Sequence, residues 1–321
     1  MNQIGQIKEL IEKSDAILIG AGAGLSTAAG FTYSGERFEK YFTDFINKYH
    51  FTDMYSGGFH SYSSLEEHWA YWSRYIFINR YLNVCDEHRN LYKQLIELVN
   101  KKNFFVLTTN VDHQFQKAGI DKKKLFYTQG DYGLLQCSVP CHKSTYDNVS
   151  YICKMMAAQI IGKEWKRYYL DGNYSNEQQK VTQIEKLLIE NNNHFKSMEI
   201  PTELIPYCPK CGKPMTMNLR SDDTFVEDAG WNKASQNFDN FVINHYKERL
   251  LLIELGVGFN TPSIIKYPFW NMAIRYPQTT YICINKGCST DGSLEEMPHN
   301  LRDTAICIDG DCALVIKELL L

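Results

Sequence analysis

Residues 16–31 read AILIGAGAGLSTAAGF, an apolar run long enough for a buried strand, then alternating glycines, then small residues suited to a helix. A strand that ends in glycines and opens a helix is the first unit of a parallel α/β sheet, because parallel strands need a long crossover, usually helical, between them. Apolar runs like Ala16–Gly20 recur at Phe104–Thr109, Leu125–Tyr127, Leu250–Leu255, Thr280–Asn285 and Thr304–Ile308. Helical periodicity fills the spaces, as in LYKQLIELV over Leu91–Val99. The alternation predicts an α/β fold, a Rossmann-like and mostly parallel sheet with helices on both faces, closed by a last helix over Ala313–Leu321.

Two stretches break the alternation. Residues 36–85 are aromatic and helical in pattern (RFEKYFTDFINKY, then SLEEHWAYWSRYIFINRYL), and residues 133–221 combine paired cysteines with loops and a helical tract near 150–195. Both are expected to build a smaller lobe. The division expected is 1–132 and 222–321 for the Rossmann-like domain, with 36–85 lending a helical module to the small lobe, and 133–221 for an inserted zinc-binding domain. A chain of 321 residues with 44% hydrophobic content can bury a large core and a smaller one.

The net charge of −3 gives no reason to expect nucleic acid or an anionic membrane as partner. No stretch reaches the ~18 apolar residues of a spanning helix, and MNQIGQIKELIEKSDA lacks a signal peptide's apolar core. A cytoplasmic location is expected. Its reducing conditions disfavour structural disulfides for the ten cysteines. Cys85, Cys153, Cys283, Cys288, Cys307 and Cys312 are scattered, and Cys283 and Cys307 sit in apolar runs where a thiol behaves as a small core residue. Cys137-x₃-Cys141 and Cys208-x₂-Cys211 instead offer four thiolates for a tetrahedral, saturated and therefore structural Zn²⁺. Four buried free thiols are the plainer alternative.

A strand–glycine–helix turn presents backbone N–H groups and a helix dipole to an anion such as a phosphate, although a ligand-free tight turn uses the same residues. Hydride-carrying dinucleotide sites require G-x-G-x-x-G and an acidic residue about 20 positions on. Counted from Gly20 the third glycine falls on Leu25, and from Gly22 on Thr27. The next residues, FTYSGERFEKYF, do not continue a βαβ unit. A nucleotide fits this loop; a hydride carrier does not. Two more polar runs follow strands: Asn110 and Asp112 after FFVLTT, and Gln129 after LFYT. Asn and Asp also cap helices, but three strand ends meeting at one crevice favour a site. His113, beside Asp112, is the alternative base; His50, His60 and His68 fit surface or packing roles.

Taken in order, these runs resemble the sirtuin (Sir2) family. Its GAG-[I/L]-S-x-x-[S/A]-G resembles Gly22-Ala-Gly-Leu-Ser-Thr-Ala-Ala-Gly30, and its T-Q-N-[I/V]-D resembles Thr108-Thr-Asn-Val-Asp112. The two cysteine pairs, Gly256-Val-Gly-Phe259 and Ile284-Asn285 complete the likeness. Two departures stand out: Thr32-Tyr-Ser-Gly35 replaces P-D-F-R, and Gln129-Gly130 replaces the catalytic His-Gly. Both are similar to the macrodomain-linked branch, class M or SirTM.

The resemblance implies that NAD is consumed as a substrate and that ADP-ribose is transferred to a protein. Asn110, Asp112 and Gln129 would be catalytic. Gly22, Ala23, Gly24, Ser26, Gly30, Tyr33, Arg37, Gly256, Val257, Gly258, Phe259 and Asn285 would complete the dinucleotide site with those three. Tyr33 and Arg37 would substitute for the missing P-D-F-R contacts. The implied acceptor is a lipoylated carrier protein of the glycine-cleavage type, with a macrodomain and a lipoate ligase as functional partners. A glutamine amide cannot take the proton that a histidine takes during deacylation, a loss of roughly 10²–10⁴ in rate. Weak deacylation or delipoylation, NAD hydrolysis, and NAD sensing without turnover are the competing expectations.

Overall fold

The computed structural model describes residues 3–82, 86–171, 176–259, 261–290 and 293–321. Cys85 lies outside them. The chain forms two compact units, one from Met1–Phe31, Val84–Gly130 and Glu227–Leu321, the other from Thr32–Asn83 and Asp131–Val226. The strands in chain order are β1 Ala16–Ala21, β2 Asn103–Thr108, β3 Leu125–Tyr127, β4 Gly130–Cys137, β5 Tyr146–Asp147, β6 Met215–Leu219, β7 Leu250–Leu255, β8 Thr280–Ile284 and β9 Ile306–Ile308.

The first unit carries a six-stranded sheet in the order β3-β2-β1-β7-β8-β9, and its pairings are parallel. All six runs singled out in the sequence become its strands. Burial on both faces explains their legibility, since such strands read as continuous apolar runs. The two-residue side-chain period then sorts them into two cores. Ile17, Ile19, Val106, Ile253 and Ile282 pack with Ile7, Leu95 and Ile316 of the helices Gln3–Lys13, Asp86–Val99 and Cys312–Leu320. Leu18, Phe105, Leu107, Leu252 and Tyr281 pack with Phe241 and Phe269 of Ala229–His245 and Lys266–Arg275.

This second core also contains an ion pair. Glu254 and Lys266 are both fully buried, with Lys266 Nζ 2.5 Å from Glu254 Oε1, and Tyr281 donates to Oε2 at 2.9 Å. Burial pushes the Glu254 carboxyl up, and the ammonium and the phenol oppose that shift. Removing one partner of such a pair leaves an uncompensated charge. Lys266→Met is therefore expected to lower unfolding free energy by about 3–5 kcal/mol, with Glu254→Gln/Lys266→Met recovering most of it. Urea denaturation of the single and double variants checks this, and equal losses in both would refute it.

The second unit is helical and aromatic over Glu36–Tyr49, Leu65–Ile76 and the π-helical turn Phe77–Tyr81. Arg74 knits it together. Fully buried, it bonds Asp44 Oδ1 and Oδ2 at 2.7 and 2.8 Å, Gln159 Oε1 at 2.7 Å and Ser197 O at 2.9 Å. The tract near 150–195 divides into Val149–Ile161, Trp165–Asp171 and Glu177–Glu190. β4, β5 and β6, which the sequence did not single out as strands, form a sheet in the order β5-β4-β6, and Cys141, Cys208 and Cys211 lie in the loops beside it. Among the described residues, no helix is long and apolar enough to cross a membrane.

Candidate functional site

The six parallel strands finish together. Tyr127, Thr108, Ala21, Leu255, Ile284 and Ile308 stand in one register row across the sheet. One or two residues beyond that row come Gln129, Asn110, Gly22, Gly256 and Asn285. Strand order reverses between β1 and β7, and ligands of open parallel sheets bind outside the carboxyl ends at such a switch point.

Backbone hydrogen bonds carry the sheet into the crevice. Gly22 N donates to Leu255 O at 3.0 Å, Gly24 N to Gly256 O at 2.8 Å, Gly256 N to Ile284 O at 3.0 Å, and Asn285 N to Ile308 O at 3.2 Å. These contacts explain three glycines. A Cβ on Gly22 would lie 2.6 Å from Gly256 O, and one on Gly24 2.7 Å from Gly256 Cα. Gly256, at φ +60, would place a Cβ 2.3 Å from Leu25 N. The loop is thus glycine-rich so that two backbones can touch, and the Gly24 N–H is committed inside the protein.

Asn110 is held on two sides. Its Nδ2 donates to Gly22 O at 2.9 Å, and its backbone N donates to Thr108 Oγ1 at 3.0 Å. Asp112, 3% exposed, accepts from Ser26 Oγ at 2.6 Å and from Gln114 N at 3.2 Å. Ser26 Oγ also lies 3.0 Å from Tyr92 Oη. Burial raises the Tyr92 phenol well above its ordinary range, and the Asp112 charge adds to the shift. Ser26 of the glycine loop and Asp112 of the β2 loop are therefore locked to each other directly, and the hydroxyl of Tyr92, a position that reads in the sequence as an ordinary helix residue, buttresses Ser26. Its one signal was a hydroxyl in the stripe Tyr92, Leu95, Val99.

Gln129 is half-buried in the turn between β3 and β4, beside Gly130 at φ +97. Thr128 N donates to Thr108 O at 3.0 Å, and Trp231 Nε1 donates to Thr128 O at 3.0 Å, fixing that turn. Nothing in the sequence marked Trp231. His113 adopts φ +65 at the start of the short helix Gln114–Lys117. Val257 is buried, Gly258 exposed, and Phe259 half-buried with Lys266 Nζ 5.3 Å from its ring centre. Ala23 is exposed and Gly30 takes φ +83.

Tyr33 and Arg37 belong to the second unit. Tyr33 stacks on Tyr55 at 4.7 Å and its Oη lies 3.3 Å from Tyr132 Oη. Arg37 donates to Thr32 O, Asn79 Oδ1 and Ile78 O at 2.9, 2.8 and 2.7 Å, so its guanidinium ties the 32–37 segment to the π-helical turn. His60 packs among Tyr49, Phe51 and Tyr62, and burial holds His68 down at about 4, neutral at ordinary pH.

The same unit gathers the paired cysteines. Cys137, Cys141, Cys208 and Cys211 have sulfurs all within 4.8 Å of one another, with Cys137–Cys211 at 3.5 Å and Cys141–Cys208 at 3.7 Å. Four sulfurs at ~2.3 Å from a tetrahedral zinc are roughly 3.8 Å apart, so the donor set fits Zn²⁺. Lys210 N lies 3.4 Å from Cys208 Sγ, and Gly212 turns at φ +70, as a thiolate-bearing knuckle requires. Four thiolates leave no open position, so the metal would be structural.

The described architecture has solved counterparts. A Sir2 with a p53 peptide and NAD+ matches with a TM-score of 0.53 at 16% identity, covering 100% of this chain and 98% of that one. A sirtuin solved for its substrate affinity matches with a TM-score of 0.55 at 16% identity, covering 100% of this chain and 97% of that one. These likenesses give the fold. No protein-family model matches. A protein ADP-ribosyltransferase of Staphylococcus aureus is 34% identical over 315 residues, 98% of this chain and 86% of that one. The chain belongs to the sirtuin-fold protein ADP-ribosyltransferases.

A probable bifunctional ADP-ribose hydrolase/ADP-ribosyltransferase of Fusarium oxysporum f. sp. cubense is 27% identical over 326 residues, and the chain spans 47% of its length. Within this ADP-ribosyltransferase, the first unit alone assembles Gly22, Gly24, Ser26, Asn110, Asp112, Gln129, Gly256 and Asn285 at one sheet edge.

Proposed function

We propose that this ADP-ribosyltransferase splits the nicotinamide–ribose bond of NAD and passes ADP-ribose to a lipoylated carrier protein of the glycine-cleavage type. The observation that carries this is the anchored pair Asn110–Gly22 and Ser26–Asp112 at the strand ends where the next strand brings a glutamine, Gln129. Departure of nicotinamide leaves positive charge on the ribose, and preorganised dipoles and nearby negative charge stabilise it without reorganisation. Asn110 supplies an anchored amide and Asp112 a buried carboxylate. Gln129 orients ribose hydroxyls by hydrogen bonds but holds no proton acceptor. This favours transfer to an acceptor that is already nucleophilic over histidine-dependent deacylation.

A macrodomain as functional partner follows from the class M resemblance, and the name of the bifunctional fungal relative supports pairing the transferase with an ADP-ribose hydrolase. A lipoate ligase follows from the class M resemblance. The test is intact-mass spectrometry of lipoylated and unmodified carrier after incubation with NAD. ADP-ribose gained on the lipoylated carrier alone, with nicotinamide released, is the expected result. Loss of the lipoyl group without that gain would establish delipoylation instead. Nicotinamide release independent of carrier would establish hydrolysis.

A further inference from the structure

The second core contains a row of chemistry that the dinucleotide reaction does not use. Glu254, Cys283 and Cys307 are register partners on β7, β8 and β9. In-register residues on parallel neighbours point to the same face. Cys283 is 2% exposed, and its Sγ lies 3.6 Å from Glu254 Oε1. Cys307 differs in being half-buried, and it lines a pocket of about 410 Å³ with Gln3, Leu294, Met297, Arg302 and Ala305. The pocket is thus lined by a half-buried cysteine whose register partner on β8 is a buried one.

We propose that Cys307 is a hydroperoxide-reactive thiol and that Cys283 resolves it to a reversible disulfide. In the first step the Cys307 thiolate attacks one peroxide oxygen, the O–O bond breaks, and the sulfur is oxidised to a sulfenic acid as hydroxide or alkoxide leaves. In the second, the Cys283 sulfur attacks the Cys307 sulfur and the S–O bond breaks. Glu254 Oε1, 3.6 Å from Cys283 Sγ, takes the Cys283 proton and returns it to the departing hydroxide, which leaves as water. The oxidant is the hydroperoxide, reduced to water or alcohol, and a low-molecular-weight thiol reverses the reaction.

Three features support this assignment. Thiolates are the reactive form of cysteine, and the neighbouring Cys283 side chain holds the Cys307 thiol below its ordinary range. Glu254 Oε1 offers a buried acceptor for the Cys283 proton. Adjacent parallel strands run about 4.8 Å apart, inside the ~4.4–6.8 Å Cα window of a disulfide. The location also gives the bond a consequence. Cys283 and Cys307 lie directly beneath Ile284 and Ile308, and Ile308 O receives the N–H of Asn285 at the sheet edge.

The experiment is a hydrogen-peroxide titration of the whole zinc-loaded chain, followed by dimedone labelling and peptide mapping. Cys312, pushed up to about 12 by burial, is the internal control. Expected are oxidation of Cys307 at least about tenfold faster than Cys312 and a Cys283–Cys307 cross-linked peptide. In Cys283→Ser a lasting dimedone adduct on Cys307 is expected, and in Cys307→Ser neither product forms. The proposal is overturned if Cys307 oxidises no faster than Cys312. It is equally overturned if Cys283 pairs instead with Cys288, or if the Cys307 dimedone adduct is no longer-lived in Cys283→Ser than in the parent chain. None of these readouts depends on the acceptor protein or on turnover.

Discussion

Asn110→Ala is expected to lower nicotinamide release from NAD by at least about 10²-fold while the chain remains folded. Two effects of the substitution have to be separated. The lost Asn110–Gly22 hydrogen bond, at 2.9 Å between half-buried groups, is a stability effect of about 1 kcal/mol. Loss of one preorganised dipole at a developing charge costs about 2.7–4 kcal/mol of transition-state stabilisation, or 10²–10³ in rate. The catalytic effect therefore exceeds the structural one, and an unchanged circular-dichroism spectrum with a modest fall in Tm should accompany the loss. Chromatographic assay of nicotinamide at saturating NAD measures it. Turnover close to that of the parent chain would remove Asn110 from the catalytic set.

The sequence made the first unit legible because its strands are buried on both faces. An apolar run such as LLIEL can then only be a central strand, and its polar exceptions mark strand ends or buried partners. The glycine loop was legible as a motif, but its physical reason was not. The Cβ clashes between Gly22, Gly24 and Gly256 link residues more than 200 positions apart, and no local pattern encodes such an approach. Tyr92, Trp231 and Lys266 escaped notice for the same reason. Each looks like an ordinary helix residue until the fold brings it to Ser26, Thr128 O or Glu254. In the second unit, GDYGLLQC and MTMNL mix polar and apolar residues over short spans. Their strand state follows from pairing across the cysteine turns, so local propensity under-read them.

That pairing makes metal removal the second large effect. β4 ends at Cys137, and the turn that brings Cys208 and Cys211 precedes β6, with Cys208 N donating to Lys213 O at 2.8 Å and Ser138 N to Pro214 O at 3.2 Å. Sealed thiolate sites contribute apparent binding energies of about 10–16 kcal/mol near pH 7, against about 5–15 kcal/mol for the net stability of a whole domain. Few apolar contacts can replace this at a three-stranded sheet whose β5 is two residues long. Cys208→Ser, or chelation with mild heating, is accordingly expected to unfold the region around β4–β6 and abolish zinc binding by elemental analysis. Hydrogen exchange should rise by orders of magnitude over 130–147 and 206–219, while β1, β2 and β7, fastened by the two apolar cores of the first unit, keep their protection. Restoring zinc to the chelated chain should restore protection in the second unit. Full protection over both segments in a zinc-free chain would mean that the sheet holds without metal, with Cys137 and Cys208 buried and Cys141 and Cys211 exposed as free thiols.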